Sequence, residues 1–156
     1  MEYTTSSAQE TQLIGKNLAS QLTGGDIVLL HGELGAGKTT FVKGIAEGLG
    51  ITDDILSPTF TLMNIYTATR QHSNTTTLVH IDTYRLKSEQ ELIDIGVEDY
   101  LGDENTICVI EWPEKIEKLL IDIRQRRTRL GREKALNVWL THEGEGRKIR
   151  IGRLED

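Results

Sequence analysis

The stretch "IVLLHGELGAGKTTF", residues 27–41, decides the fold. A short apolar run, Ile27–Leu30, leads into three glycines, a lysine and two threonines, and then into residues with helical spacing. Gly32 begins the pattern G-x-x-x-x-G-K-[ST] and Thr39 fills its last position. A strand before this pattern and a helix after it are the context in which it forms a phosphate-binding loop.

Each residue type in this loop has a physical reason. Glycines let the backbone curl so that several N–H groups point into one concavity, and the N-terminus of the following helix adds partial positive charge. Lys38 has the length to reach β- and γ-phosphate oxygens, and the hydroxyl of Thr39 can ligate Mg²⁺. The sequence therefore predicts a nucleoside-triphosphate site with a bound magnesium ion.

Length and composition indicate an ordinary globular protein. The 156 residues predict one domain, residues 1–156, with a single core. Two prolines and 37% hydrophobic residues argue against disorder, and no apolar run approaches the ~20 residues of a membrane helix. The N-terminus lacks a signal-peptide pattern, so we expect a cytoplasmic protein without membrane contact. Cys108 is the single cysteine, and its apolar run "ICVI" predicts a buried structural thiol.

Charge excludes one class of function and leaves one segment open. The net charge of −6 argues against general coating of nucleic acid. The segment Arg124–Lys134 nevertheless carries six basic residues in eleven. It is either a solvated helix end or a contact for RNA, phosphate or an acidic partner.

Apolar periodicity and turn residues predict alternating helices and strands. Helices are predicted at 7–22, 38–49, 88–101 and 114–127, and strands at 27–30, 60–66, 75–82, 106–111, 136–140 and 149–151. The strands around Phe60–Tyr66 and Thr75–Asp82 read as an antiparallel pair, and the last two as a terminal hairpin. This order predicts an α/β, P-loop NTPase-type three-layer fold, in which helices flank a central mixed sheet.

The predicted layout brings polar residues to the phosphate edge of the sheet. If the antiparallel pair turns away from the loop, its outer ends, Ser57–Thr59 and His80–Asp82, lie beside the phosphates. In open α/β sheets, ligands bind outside the carboxyl ends of the strands. The residues expected to converge there are Lys38, Thr39, Ser57, Thr59, His80, Asp82 and Glu111.

Two carboxylates compete for the magnesium ion. Glu111 ends the apolar run "ICVI", as a Walker-B carboxylate does, and Asp82 ends "LVHI". One would bind Mg²⁺ directly or through water, and the other would orient the attacking water. Either could instead be a helix cap or a surface group, and His80 could simply pack. Trp112 is either a wall of the site or a core residue.

Five motifs together resemble a known family. In chain order they are "GELGAGKTTF", "SPTFTL", "HIDTYRL", "GVEDYL" and "IEWPEK", within about residues 7–115. This ordered set resembles the bacterial TsaE (YjeE) family of small P-loop ATPases, which are needed for the tRNA modification threonylcarbamoyladenosine. The resemblance implies a Mg²⁺-dependent ATPase that acts with TsaB and TsaD and meets tRNA through their complex. Arg85 is the only arginine adjoining a phosphate-edge motif, and the sequence shows no obvious arginine finger, so we expect weak activity alone and stimulation by partners.

The resemblance also implies site residues. By similarity, the nucleotide contacts fall on Leu34, Gly35, Ala36, Gly37, Lys38, Thr39, Thr40 and Arg147. The magnesium ligands fall on Thr39 and Glu111, and the family's essential aspartate falls on Asp82. With Lys38, Asp82 and Glu111 form the expected catalytic set. The resemblance says little about the adenine pocket; as a separate expectation, the Thr/Ser cluster Thr4–Thr11 lies near the adenine.

Three alternatives remain open at this point. A small-molecule P-loop kinase would use the basic segment Arg124–Lys134 as its lid. A GTPase is disfavoured because no [NT]-K-x-D motif follows the last core strand. A nucleotide-binding regulator without turnover would not need both Asp82 and Glu111.

Overall fold

The computed structural model describes residues 1–69, 75–128 and 135–153, through which a seven-stranded mixed sheet runs. The strands are β1 (Glu2–Thr5), β2 (Ile27–His31), β3 (Met63–Thr69), β4 (Thr75–Asp82), β5 (Thr106–Glu111), β6 (Ala135–Glu143) and β7 (Gly146–Arg153). The helices are α1 (Ala8–Ala19), α2 (Lys38–Gly48), α3 (Gln90–Asp94) and α4 (Glu117–Thr128), with 3₁₀ turns at Val97–Asp99 and Pro113–Ile116.

Strand order in the sheet is β1-β7-β6-β2-β5-β4-β3. β2 lies parallel to β5 and β6, and β4 lies parallel to β5. The pairs β3–β4, β6–β7 and β1–β7 are antiparallel. The prediction of a mixed sheet with an antiparallel pair and a C-terminal hairpin is therefore confirmed. Each residue of β5 is buried, as expected of a parallel strand covered on both faces.

Helices α1 and α2 cover one face of the sheet and contact each other closely. A Cβ built on Gly44 of α2 would lie 2.0 Å from the carbonyl oxygen of Gln12 in α1, so only glycine permits this approach. α1 begins at a cap, because the hydroxyl of Ser7 accepts the backbone N–H of Glu10 at 3.1 Å. Tight packing on this face holds the start of α2 at a fixed place beside the sheet.

The opposite face of the central strands is covered by α3, α4 and the two 3₁₀ turns. The helix predicted at 88–101 is interrupted, because Gly96 adopts a left-handed conformation with φ 82° between α3 and the first 3₁₀ turn. The helix predicted at 114–127 begins as a 3₁₀ turn at Pro113 and becomes α-helical at Glu117. Cys108 is buried among the apolar side chains of this face, as predicted.

Two further differences from the sequence prediction concern strands. β1, which pairs with β7, is not predicted, because its four residues carry too little periodic pattern. β3 begins at Met63 and not near Phe60, because Leu62 takes a left-handed conformation with φ 64° and ends the preceding turn.

Residues 129–134 of the basic segment lie outside the described residues. In the described ranges, no helix combines the length and apolar character needed to cross a membrane.

Candidate functional site

The glycine-rich loop joins the end of β2 to the first residue of α2. Gly35 and Gly37 have positive φ angles of 78° and 99°, which other residues adopt only with strain. A Cβ on Gly32 would lie 2.4 Å from the carbonyl oxygen of Leu140. The sequence pattern therefore places its glycines where the backbone curls and where it touches β6.

Lys38 is buried at the start of α2 and lies over the loop. Only 4% of its surface is exposed, and its ammonium donates to the carbonyl oxygens of Gly32 at 2.6 Å and Glu33 at 2.9 Å. The ammonium also lies 4.1 Å from the centre of the Trp112 ring. Burial lowers the pKa of Lys38, and the nearby carboxylate of Glu111 partly opposes that shift. A desolvated ammonium bound only by neutral groups is suited to meet an anion.

Glu111 and Thr39 are in direct contact behind the loop. Glu111 is the last residue of β5, and the register pairs it with Leu30 of β2 and Asp82 of β4. Its Oε1 accepts the hydroxyl of Thr39 at 3.0 Å and the Nε2 hydrogen of His80 at 2.8 Å. The two residues to which the family resemblance assigns the magnesium ion therefore share one hydrogen bond.

Asp82 ties the segment before β3 to the end of β4. Its Oδ2 accepts the hydroxyls of Thr59 at 2.9 Å and Ser57 at 3.4 Å, and its Oδ1 accepts the backbone N–H of Tyr84 at 2.8 Å. The structure thus brings Ser57, Thr59 and Asp82 together beside Glu111. Within the described part of the chain, the hydroxyl of Thr39 donates to Glu111 and no hydrogen bond joins it to Asp82, so Glu111 is the carboxylate that could share a cation with Thr39.

Arg147 of β7 reaches the loop from the other side. Its Nε donates to the carbonyl oxygen of Ala36 at 3.1 Å, and an Nη donates to that of Gly35 at 3.4 Å. A cavity beside the loop separates this arginine from the start of α1. It is lined by Ser6, Ser7, Ala8, Thr11, Gly37, Thr40, Glu145, Gly146 and Arg147.

One neighbour of the site is not singled out by the sequence, and a second is ambiguous there. Glu145 lines the cavity because β1 and β7 pair, and neither strand signals that pairing locally. From the sequence, Trp112 is either a wall or a core residue; its contact with Lys38 makes it a wall, with φ 60° in the left-handed region. The ring of Tyr84 lies against Trp112, with 5.1 Å between centroids.

The donor set fits a hard cation that is held mainly by a ligand. Among residues 1–69, 75–128 and 135–153, no group of three or more His, Cys, Asp or Glu side chains could form a protein cage for a metal. Mg²⁺ usually takes one or two protein oxygens and completes its shell with phosphates and water. The Thr39 hydroxyl and the Glu111 carboxylate match that requirement.

Comparison with known proteins identifies the family to which this chain is similar. The family model described as "Threonylcarbamoyl adenosine biosynthesis protein TsaE" matches residues 5–148. The tRNA threonylcarbamoyladenosine biosynthesis protein TsaE of Bacillus subtilis is 41% identical over 120 residues, which cover 77% of this chain and 71% of the relative. The TsaE protein of Treponema pallidum is 46% identical over 110 residues, which cover 70% of this chain and 76% of that relative.

The fold is also similar to a solved structure. The crystal structure of Bacillus subtilis YdiB superposes with a TM-score of 0.73 at 30% identity, covering 99% of this chain and 85% of that one. The residues that the family model matches, 5–148, include the glycine-rich loop, Asp82, Glu111 and Arg147. The chain belongs to the TsaE family of threonylcarbamoyl adenosine biosynthesis proteins.

Proposed function

We propose that this chain is a Mg²⁺-dependent ATPase that serves the formation of threonylcarbamoyladenosine at adenosine 37 of tRNAs reading codons that start with A. The observation that carries the proposal is the contact of Thr39 with Glu111 directly behind the glycine-rich loop, at 3.0 Å. A hydroxyl at the start of a helix and a carboxylate at the end of a neighbouring strand are the protein ligands of magnesium in P-loop NTPases.

Each charged residue of the site has a role in this proposal. When bound, Mg²⁺ neutralises charge on the β- and γ-phosphate oxygens. Lys38 would exchange the carbonyl oxygens of Gly32 and Glu33 for phosphate oxygens, a stronger interaction for a desolvated ammonium. Asp82 would orient the attacking water from the end of β4, with Thr59 fixing its carboxylate.

The cavity lined by Ser6, Thr11, Thr40 and Arg147 is the proposed place of the nucleoside. It adjoins Gly37, so a nucleotide with its phosphates on the loop would extend into it. The cavity offers hydroxyl and backbone groups, which suit hydrogen bonding to a base and ribose. This assignment agrees with the expectation that the cluster Thr4–Thr11 lies near the adenine.

Partner proteins are proposed to complete the site. Arg85 adjoins the phosphate edge, but its guanidinium lies 4.4 Å from the centre of the Phe60 ring. Large apolar side chains are exposed nearby: Leu34 is 70%, Leu56 65% and Phe60 81% exposed. Exposed apolar side chains around a site are typical of a protein interface. We assign this surface to TsaB and TsaD, with tRNA bound through their complex in the cytoplasm.

The experiment is steady-state phosphate release by the chain alone, with TsaB–TsaD, and with TsaB–TsaD plus tRNA. We expect slow release alone and a rise with partners, since an arginine supplied by a partner raises turnover by ~10³–10⁵ in related enzymes. Equal rates in all three mixtures would contradict the partner coupling. Formation of a phosphorylated metabolite in place of free phosphate would favour a kinase.

The kinase alternative would use the basic segment Arg124–Lys134 as a lid, and residues 129–134 of that segment lie outside the described residues. The first described residue after them, Ala135, pairs with Ile27, the first residue of the parallel strand β2. β2 runs towards the glycine-rich loop, so Ala135 lies at the opposite edge of the sheet.

A further inference from the structure

The side chain of His80 is buried and has one hydrogen-bond partner among the described residues. It lies in β4 with no exposed surface, and its Nε2 is 2.8 Å from Oε1 of Glu111. Its Nδ1 is buried and has no hydrogen-bond partner in the described part of the chain. An unpaired buried nitrogen costs stability. Among the described residues, the hydrogen bond to Glu111 is the one side-chain hydrogen bond of His80 that offsets this cost.

The neighbours of His80 in the sheet show that its position belongs to the apolar core. His80 points to the same side of the sheet as Leu78, which belongs to the apolar core under α1 and α2. The register pairs His80 with Val109 of β5, which belongs to that same core. Packing alone would be served by an apolar residue. The histidine therefore contributes a donor that an apolar residue could not.

The Nε2 hydrogen of His80 is donated to Oε1 of Glu111. Both Thr39 and His80 donate to Oε1, while no hydrogen bond to Oε2 occurs within the described ranges. Two donors on one oxygen fix the rotation of the carboxylate and leave the other oxygen available. Groups that orient a metal ligand in this way commonly change metal affinity by 10- to 100-fold when removed.

We propose that His80 is the positioning residue that holds Glu111 in its metal-binding orientation. It acts through Glu111 and touches neither nucleotide nor metal. The inference rests on the proposed magnesium site, but the hydrogen bond it invokes joins two residues of the chain itself. The two claims can therefore be tested separately.

The first test compares His80→Gln with His80→Met in nucleotide binding. The two side chains have the same length, and only glutamine carries an N–H near the place of Nε2. Affinity for a non-hydrolysable ATP analogue is measured with Mg²⁺ and with EDTA. We expect His80→Met to lose about 10- to 100-fold of the affinity measured with Mg²⁺ and to keep the affinity measured in EDTA. His80→Gln should stay near the wild type.

Leu78→Met, on the same face of β4, controls for general disturbance of the strand. Equal losses by His80→Met and His80→Gln would overturn the proposal. So would a loss by His80→Met that is the same in Mg²⁺ and in EDTA.

The second test needs no metal. In a double-mutant cycle, the fall in Tm caused by His80→Met is compared in the wild-type and Glu111→Met backgrounds, because glutamine would keep an oxygen that can accept the His80 N–H. We expect the fall in the Glu111→Met background to be less than roughly half of that in the wild type, because the acceptor of the His80 hydrogen bond is gone. Additive effects would overturn the proposal. If instead the wild type shows no Mg²⁺ dependence of nucleotide affinity, the proposed function fails and this cycle still decides the role of His80.

Discussion

The two ends of the parallel strands both carry buried acidic side chains, but these are bonded in different ways. At the amino end, Asp26 precedes β2, and its Oδ2 accepts the backbone N–H and the hydroxyl of Thr23, three residues away. At the carboxyl end, Glu111 accepts donors that are 72 and 31 residues distant, Thr39 and His80. A carboxylate satisfied by its own turn stabilises that turn, whereas one satisfied by several distant segments assembles a site.

The largest expected effect at the carboxyl end is that of Lys38→Ala. Removal of this buried ammonium takes away the lysine that we propose to bind the phosphates, so nucleotide affinity should fall by about 100-fold or more. Calorimetric titration with the ATP analogue in Mg²⁺ measures it. Lys43→Ala, an exposed lysine on the same helix, is the matched control and should bind normally. Normal binding by Lys38→Ala would remove the basis for the phosphate site.

Glu111→Gln and Asp82→Asn should separate chemistry from folding. Both changes keep the size of the side chain and remove its charge, so we expect folded proteins whose phosphate release falls by about two orders of magnitude. Release is measured in the presence of TsaB and TsaD, and circular dichroism checks the fold. A lowered Tm with unchanged turnover in both variants would mean that the two carboxylates are structural, like Asp26.

Arg147→Ala should have a smaller effect. Its guanidinium touches the loop through the carbonyl oxygens of Gly35 and Ala36, and hydrogen bonds from a charged donor contribute about 1.5–3 kcal/mol. We expect nucleotide affinity to fall by roughly tenfold. Arg150→Ala is the control, because Arg150 lies in the same strand as Arg147 but packs on the Trp139 ring of β6. Equal affinities of the two variants would show that Arg147 does not support the loop.

Alkaline pH should weaken nucleotide binding through Lys38. Burial lowers the pKa of Lys38 from its usual value of 10.5, and Glu111 and Asp82 oppose that shift. As pH rises through the lowered pKa, the folded chain loses this proton before the unfolded chain does, so the nucleotide-free protein gains stability. Over the same interval nucleotide affinity should fall, because phosphates favour the charged ammonium. Lys38→Met should lack this rise in stability, and an unchanged pH profile in that variant would exclude Lys38 as its source.

The smallest expected effect on binding is that of Asp26→Ala, at the amino end. Loss of its two hydrogen bonds should lower the free energy of unfolding by about 1–3 kcal/mol. Nucleotide affinity should not change, because the carboxylate lies at the edge of the sheet away from the loop. Urea unfolding and titration with the ATP analogue measure the two quantities. A weakened affinity here would break the distinction between the two ends.

Residues with local patterns were the ones that the sequence predicted well. The glycine-rich loop, β2 and the buried run of β5 follow from spacing and apolar content, and the rule for strand ends places Asp82 and Glu111 together. β1 was missed because four residues that pair with a distant strand carry no local signal. The break at Gly96 was missed because one glycine inside a helical pattern is ambiguous.

Contacts between distant segments were beyond sequence reasoning. Nothing local indicates that Trp112 faces Lys38, or that the Nε2 of His80 reaches Glu111. Both depend on the register of β4 and β5 and on the left-handed backbone at Trp112. The nucleoside cavity depends likewise on the pairing of β1 with β7.

The most direct test of the central claim, that the carboxyl end binds Mg²⁺-nucleotide and the amino end does not, is one titration followed by amide NMR. The chain is titrated with the non-hydrolysable ATP analogue in Mg²⁺, and the chemical-shift changes of all assigned amides are compared. The account predicts large changes within residues 32–40 and at Asp82, Glu111 and Arg147, with none at Thr23–Asp26. Changes centred on Thr23–Asp26, or none within residues 32–40, would contradict it.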